Sequence, residues 1–238
     1  GLTRLRMGEF KQAEEDVNRA LNLDQYNPEI RAILALIYEM SNREKEAIQI
    51  LQGTLKRHPD HVMTLYNLVQ FYTKSRDPAS LQTAEKHLNK IVEIHPGNIA
   101  ARLQLVEVLV QNEKPDQAIA QLEQIRQILP QLPEGSGEVL NRSLDLIRDG
   151  SIQEAFPSAR IFHNLLKSTD FYQAAIMQLK GPGGPLTGTP LVHFSNDYKF
   201  TTENRTQLLD AITFRDVSLN AGLAEFSNQP GNGPAIEN

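Results

Sequence analysis

Residues 98–130 read NIAARLQLVEVLVQNEKPDQAIAQLEQIRQILP, and their pattern decides how the rest of the chain folds. Apolar residues recur at helical spacing in the first half, at Leu103, Val106, Leu109 and Val110. Asn112-Glu113-Lys114-Pro115 then breaks the pattern as a turn. A second helical run passes through Ala118, Ile119, Leu122, Ile125, Ile128 and Leu129. Pro130 closes it, because proline has no N–H to donate and clashes with the preceding turn. The stretch is therefore helix, short turn, helix. Neither helix buries its apolar face alone, so a unit of this kind needs copies of itself to stack on.

The copies lie upstream. Ala118 has a counterpart at Ala84, Ala84 at Ala47, and Ala47 at Ala13, at intervals of 34, 37 and 34 residues. Each alanine stands four residues before an aliphatic side chain: Val17, Leu51, Leu88 and Leu122. Prolines close three of the units, at Pro59, Pro96 and Pro130, and Tyr38 and Tyr72 share one place in their first helices. On these residues the chain resembles the tetratricopeptide repeat (TPR) family, whose period is 34 residues. The resemblance implies an all-α fold, a right-handed α-solenoid of about five helix pairs. The family's tryptophan and first glycine are missing: Ala35, Val69 and Val106 stand in the glycine position.

Taken in order, the repeats are expected near 1–25, 26–59, 60–96 and 97–130. Gly1 to Met7 reads as the tail of a first helix, and the chain as a piece of something longer. Gly8-Glu9-Phe10 is the first turn, and Asn27-Pro28 opens the second repeat, where proline costs nothing because its N–H would be unpaired anyway. The turn at Ser75 to Ala79 carries three extra residues, which accounts for the 37-residue interval. Beyond Pro130, a longer loop and a helix through Leu140, Leu144 and Ile147, ended by Gly150, lead to Ala155. Residues 131–167 are thus a degenerate fifth repeat, with Pro157 expected in the first turn of its second helix. A last helix over 170–179 is expected to cap the solenoid. The composition changes at 180–238: Lys180 to Pro190 cannot be helical, and the rest reads as a linker and an extended tail. Its Ile212 to Leu223 resembles the phrase that opens the FG-GAP propeller of the ASPIC/UnbV (cartilage-acidic-protein-like) group. That resemblance implies a bacterial, exported protein, periplasmic or extracellular, with the cytoplasm as the alternative.

Composition narrows the function. The net charge of −5 provides no basic field for nucleic acid or an acidic membrane. Cysteine is absent, which removes disulfides, thiolate metal sites and a cysteine nucleophile. No apolar run approaches the length of a membrane span. The histidines are scattered; His58 and His61 are close together but have no third ligand near them in sequence. Glu14-Glu15-Asp16 reads as a solvated face. No nucleophile motif, zinc motif or phosphate-binding loop occurs. The expectation is a chain that is not an enzyme and that carries no cofactor or metal.

What remains is a groove. In TPR solenoids the first helices of successive repeats line a concave surface, and the resemblance places Leu36, Met40, Met63, Tyr66, Asn67, Gln70, Leu103, Glu107 and Val110 on it. Family members that grip a peptide carboxylate use lysine, asparagine and arginine there. Only Asn67 matches that scheme, while Ala32, Leu36, Ala100 and Gln104 depart from it. A mostly apolar groove suits an amphipathic helix or an extended apolar segment. The expected partner is a protein, a peptide, a neighbouring subunit or the chain's own tail. The alternative is a non-catalytic arm of an exported multidomain protein.

The alanine register generates a prediction. Replacing Ala84 or Ala118 with a bulky residue should overpack the helix contact and cost roughly 1–3 kcal/mol in denaturant unfolding. A neutral result would mean that these alanines are exposed and the register is wrong.

Overall fold

The computed structural model describes residues 1–75, 77–129 and 131–180, and these form eleven helices with no strand among them. They are α1 (Leu2–Arg6), α2 (Phe10–Leu23), α3 (Pro28–Met40), α4 (Glu44–Leu55), α5 (Val62–Ser75) and α6 (Pro78–Ile94). Then follow α7 (Ile99–Gln111), α8 (Pro115–Ile128), α9 (Ser136–Arg148), α10 (Ile152–Leu166) and α11 (Asp170–Lys180). Consecutive helices pack as antiparallel hairpins that stack into an α-solenoid, each second helix also touching the first helix of the next pair. Of the linker and tail expected at 180–238, Lys180 is helical and ends α11, where it continues the turn begun before it; the rest, with Ile212 to Leu223 inside it, lies outside the described residues.

The turn between the paired helices repeats in atomic detail. Gly8, Asn42, Glu113 and Gly150 all have a left-handed backbone, with φ of 78°, 58°, 56° and 73°. At each, two N–H groups return to the end of the helix just left. Asn42 N–H donates to Glu39 O and Arg43 N–H to Tyr38 O; Glu113 N–H donates to Val110 O and Lys114 N–H to Leu109 O. This is the Schellman arrangement, which satisfies carbonyls that a helix end otherwise leaves open. The third pair differs. Its longer turn ends at Asp77, whose carboxylate accepts the Ser80 N–H at 2.9 Å and the Ser75 hydroxyl, capping α6 ahead of Pro78.

Five residues after each left-handed position comes the repeat alanine. Ala13, Ala47, Ala118 and Ala155 are wholly buried, as is Ala84 of the third pair. At these points a second helix meets the first, and a side chain larger than methyl would hold them apart. Around them pack Leu51, Leu68, Leu88, Ile91, Leu105, Leu109, Leu122 and Ile125, each 1% exposed or less.

Polar staples join one repeat to the next, again in register. Glu14 meets Arg43 at 2.7 Å, and Glu85 meets Lys114 at 2.7 Å. In each case the carboxylate follows the repeat alanine and the cation lies in the following turn. Glu85 also accepts from Asn112 Nδ2 at 2.7 Å and is the more buried of the two acids. Arg31 and Arg102 share another place: Arg31 donates to Gln25 O at 3.1 Å, and Arg102 to Pro96 O at 2.8 Å, tying down the loop before each helix. Asp16 pairs with Arg4 at 2.7 Å. Glu14 and Asp16 are therefore half-buried ion-pair partners, not the solvated face that the acidic run suggests.

The fifth pair stacks differently. α9 packs on α8, and α10 packs on α7; α11 then lies against α7 and α5. Pro157 is inside α10, beyond the first turn in which the sequence reading places it, because the helix already starts at Ile152. Its ring leaves the Gln153 carbonyl without an intrahelical partner. Both residues are exposed, so water can satisfy that carbonyl.

A non-glycine residue in the left-handed region costs about 1–2 kcal/mol, and glycine adds about 0.4–1 kcal/mol of unfolded-state entropy. Glu113→Gly should therefore raise stability by up to about 1 kcal/mol in urea unfolding; a loss would mean that the exposed side chain contributes more than the backbone costs. Glu85→Ala leaves Asn112 Nδ2 without its carboxylate and should cost about 1–3 kcal/mol. Glu14→Ala, at a more exposed pair, should cost less than about 1 kcal/mol. The reverse order would remove burial as the difference between the two staples.

Candidate functional site

The residues that the sequence places on the groove fall into two groups in the structure. Leu36 and Met40 on α3, and Met63, Tyr66, Asn67 and Gln70 on α5, surround or flank a cleft of about 230 Å³. Ala32, Ile33, Leu36, Met63 and Tyr66 form its apolar lining, and Asn67, Gln70, Glu39, Lys74 and Lys180 supply polar groups. Met40 stands beside Glu39 with 41% of its surface exposed. Lys74 Nζ meets Glu39 at 2.7 Å, a bridge from α5 to α3. Gln70 donates to Gln104 at 3.2 Å, linking α5 to α7.

Leu103, Glu107 and Val110 form the second group, on α7. Leu103 and Val110 are 1% and 0% exposed. Their helix carries α10 and α11, so the stretch of first-helix surface that the sequence reads as open is covered there. Glu107 faces His163 of α10 and accepts from its Nδ1. His163 Nε2 lies 2.9 Å from the Tyr172 hydroxyl of α11. A carboxylate can only accept, so in the neutral ring Nδ1 carries the proton and Nε2 accepts from Tyr172 O–H. Burial pushes the Tyr66 hydroxyl up to about 12. Burial also raises Tyr172, with Tyr66 and Glu107 adding to the effect. Both phenols therefore stay protonated at neutral pH, and Tyr172 keeps the proton it donates.

Asn98 is the second tie to α11. Its side-chain oxygen caps α7 by accepting the Ala101 N–H at 2.9 Å. Its amide donates to Ala175 O at 2.9 Å and to Gln178 Oε1 at 3.1 Å. The sequence reading assigns no role to Asn98, His163, Tyr172 or Lys180. Only the capping half of Asn98 was open to inference, since Asn27 caps α3 in the same way. The long-range half depends on where α11 returns.

His58 and His61 diverge: His58 contacts Tyr26 O at 3.1 Å, and His61 contacts Thr64 Oγ1 at 2.7 Å. Among the described residues no cluster of three or more His, Asp or Glu side chains is placed to hold a metal ion. No helix among them is long and apolar enough to cross a membrane.

No curated protein matches the chain's sequence. The family model described as tetratricopeptide repeat matches residues 4–70 and 79–136, more than half of the chain. Repeating turns, buried alanines and stacked helix pairs agree with that match: the chain belongs to the tetratricopeptide repeat family.

Proposed function

We propose that this chain is a non-catalytic protein-interaction scaffold whose open groove over α3 and α5 takes an apolar helix or extended segment. The donor would be a partner protein or a neighbouring subunit within a larger assembly. The observation that supports this most is the cleft itself, with Leu36 and Met63 partly exposed on its apolar lining beside Asn67 and Gln70. Methionine adapts its shape to irregular apolar ligands, and the two amides can hydrogen-bond a backbone. Membership of a family built for protein contacts favours the same class. The net charge of −5 favours protein over nucleic acid. The chain's own tail is a further candidate occupant, since its apolar residues, Leu191, Val192 and Phe194 among them, are covalently joined to the solenoid, which raises their effective concentration at the groove.

A second reading rests on Ile212 to Leu223 and its resemblance to the opening of an FG-GAP propeller. In that case the solenoid is the arm of an exported multidomain protein, periplasmic or extracellular. Aspartate-rich propeller loops encoded beyond Asn238 would support it, and their absence from the full reading frame would remove it.

The groove reading is tested by selecting binders from a displayed random-peptide library against the whole chain. Apolar peptides with submillimolar affinity are expected. Leu36→Glu and Met63→Glu should each weaken them at least tenfold while the melting temperature stays near that of the parent. Selected peptides indifferent to both substitutions would place the interaction surface elsewhere.

A further inference from the structure

α11 is bound in an unusual way. Every helix from α2 to α10 is one arm of a hairpin, but α11 has no hairpin partner after it among the described residues. It turns back after Lys167–Thr169 and lies on α5 and α7, two first helices. Together with α10 it covers the part of the groove marked by Leu103, Glu107 and Val110. Its contact face is a stripe: Tyr172, Ala175, Ile176 and Leu179, at 7%, 5%, 8% and 0% exposure. Phe171 and Gln173, off that stripe, are exposed. An aromatic, a small residue and two aliphatics at i, i+3, i+4 and i+7 are how an amphipathic helix anchors in a groove. The groove answers with polar groups as well as apolar ones. Asn98 donates to a main-chain carbonyl of α11, and His163, hydrogen-bonded to Glu107 on its other nitrogen, bonds the Tyr172 hydroxyl.

We propose that α11 is an intramolecular ligand of this groove, displaceable by a partner's amphipathic helix with the same aromatic–small–aliphatic–aliphatic spacing. The inference deepens the scaffold reading and rests on it for the partner, but the seat of α11 is on α5 and α7 and adjoins the open cleft, whose other wall is α3. Lys180, at the end of α11, lines that cleft, so release of α11 lengthens the open groove along α5 and α7. A tethered helix holds its seat at an effective concentration of roughly millimolar. A partner helix therefore has to bind more tightly than α11 does, or arrive with additional contacts in the open cleft.

Two measurements on the full chain decide the matter. The first is amide hydrogen exchange in the parent and in Asn98→Asp, which keeps the oxygen that caps α7 but removes the donor aimed at Ala175. Exchange across 171–180 should accelerate at least tenfold while α7 is unchanged; acceleration of both helices together, or of neither, would overturn the proposal. The second uses a labelled synthetic peptide of residues 168–180. A chain carrying Ile176→Asp and Leu179→Asp should bind it at least tenfold more tightly than the parent, whose own α11 blocks the seat. The same peptide bearing both substitutions should not bind. Leu36→Glu should leave this binding unaltered, so a failure of the open-cleft reading would not be mistaken for a failure here. Equal binding by parent and variant, no binding by a folded variant, or loss of cooperative unfolding on making the double substitution would each show that α11 is an integral part of the core.

Discussion

The contact on which the rest of the solenoid depends is the close crossing of two helices at an alanine. Ala13, Ala47, Ala84, Ala118 and Ala155 are each wholly buried where a second helix meets its first. A methyl group there lets the backbones approach and brings the flanking leucines and isoleucines into contact. Dense packing of this kind tolerates little added volume. The crossing also needs the chain to reverse at a fixed distance before it, and the left-handed residues at Gly8, Asn42, Glu113 and Gly150 do this. Turn and alanine act as one unit: the turn sets the direction of the second helix, and the alanine sets its depth.

The third repeat shows which part of that unit is essential. Its turn is longer and ends in the Asp77 cap on α6, yet Ala84 is as buried as the others. Different local chemistry can deliver the helix, provided that the crossing is kept. The Glu85–Lys114 staple, with Asn112 as second donor, then ties this irregular repeat to the next through a carboxylate largely removed from water. A charge so placed needs its partners, because leaving it unpaired would be costly.

The fifth pair keeps the crossing and changes the stacking. Ala155 follows Gly150 at the usual distance, but α10 packs on α7, and α11 follows it into the groove. The chain thereby divides one concave surface into a covered half, closed by apolar contacts and by the Glu107–His163–Tyr172 chain of hydrogen bonds, and an open half over α3 and α5. A solenoid of identical repeats would expose an unbroken groove and leave its last pair without a neighbour. Here the last helices serve as cover for both.

How much of this could be read without coordinates depends on how far apart the deciding residues are. Helix pairs, turns and buried alanines are local: recurring small and apolar residues at helical spacing dictate them, so the α-solenoid and the register of its repeats follow from the residue pattern. The first-helix positions that could face the groove were legible for the same reason, since one face of a helix is a matter of periodicity. Which of them stay open was not. Leu36 and Met63 differ little in kind from Leu103 and Val110, and only the return of α10 and α11 separates a cleft from a core. Likewise Glu14 looks like any exposed acid until Arg43 arrives from the next turn, and nothing near Asn98 points to the carbonyl of Ala175. These pairings join residues far apart in the chain, whose meeting depends on how whole helices stack, and that was decided by the tertiary structure alone.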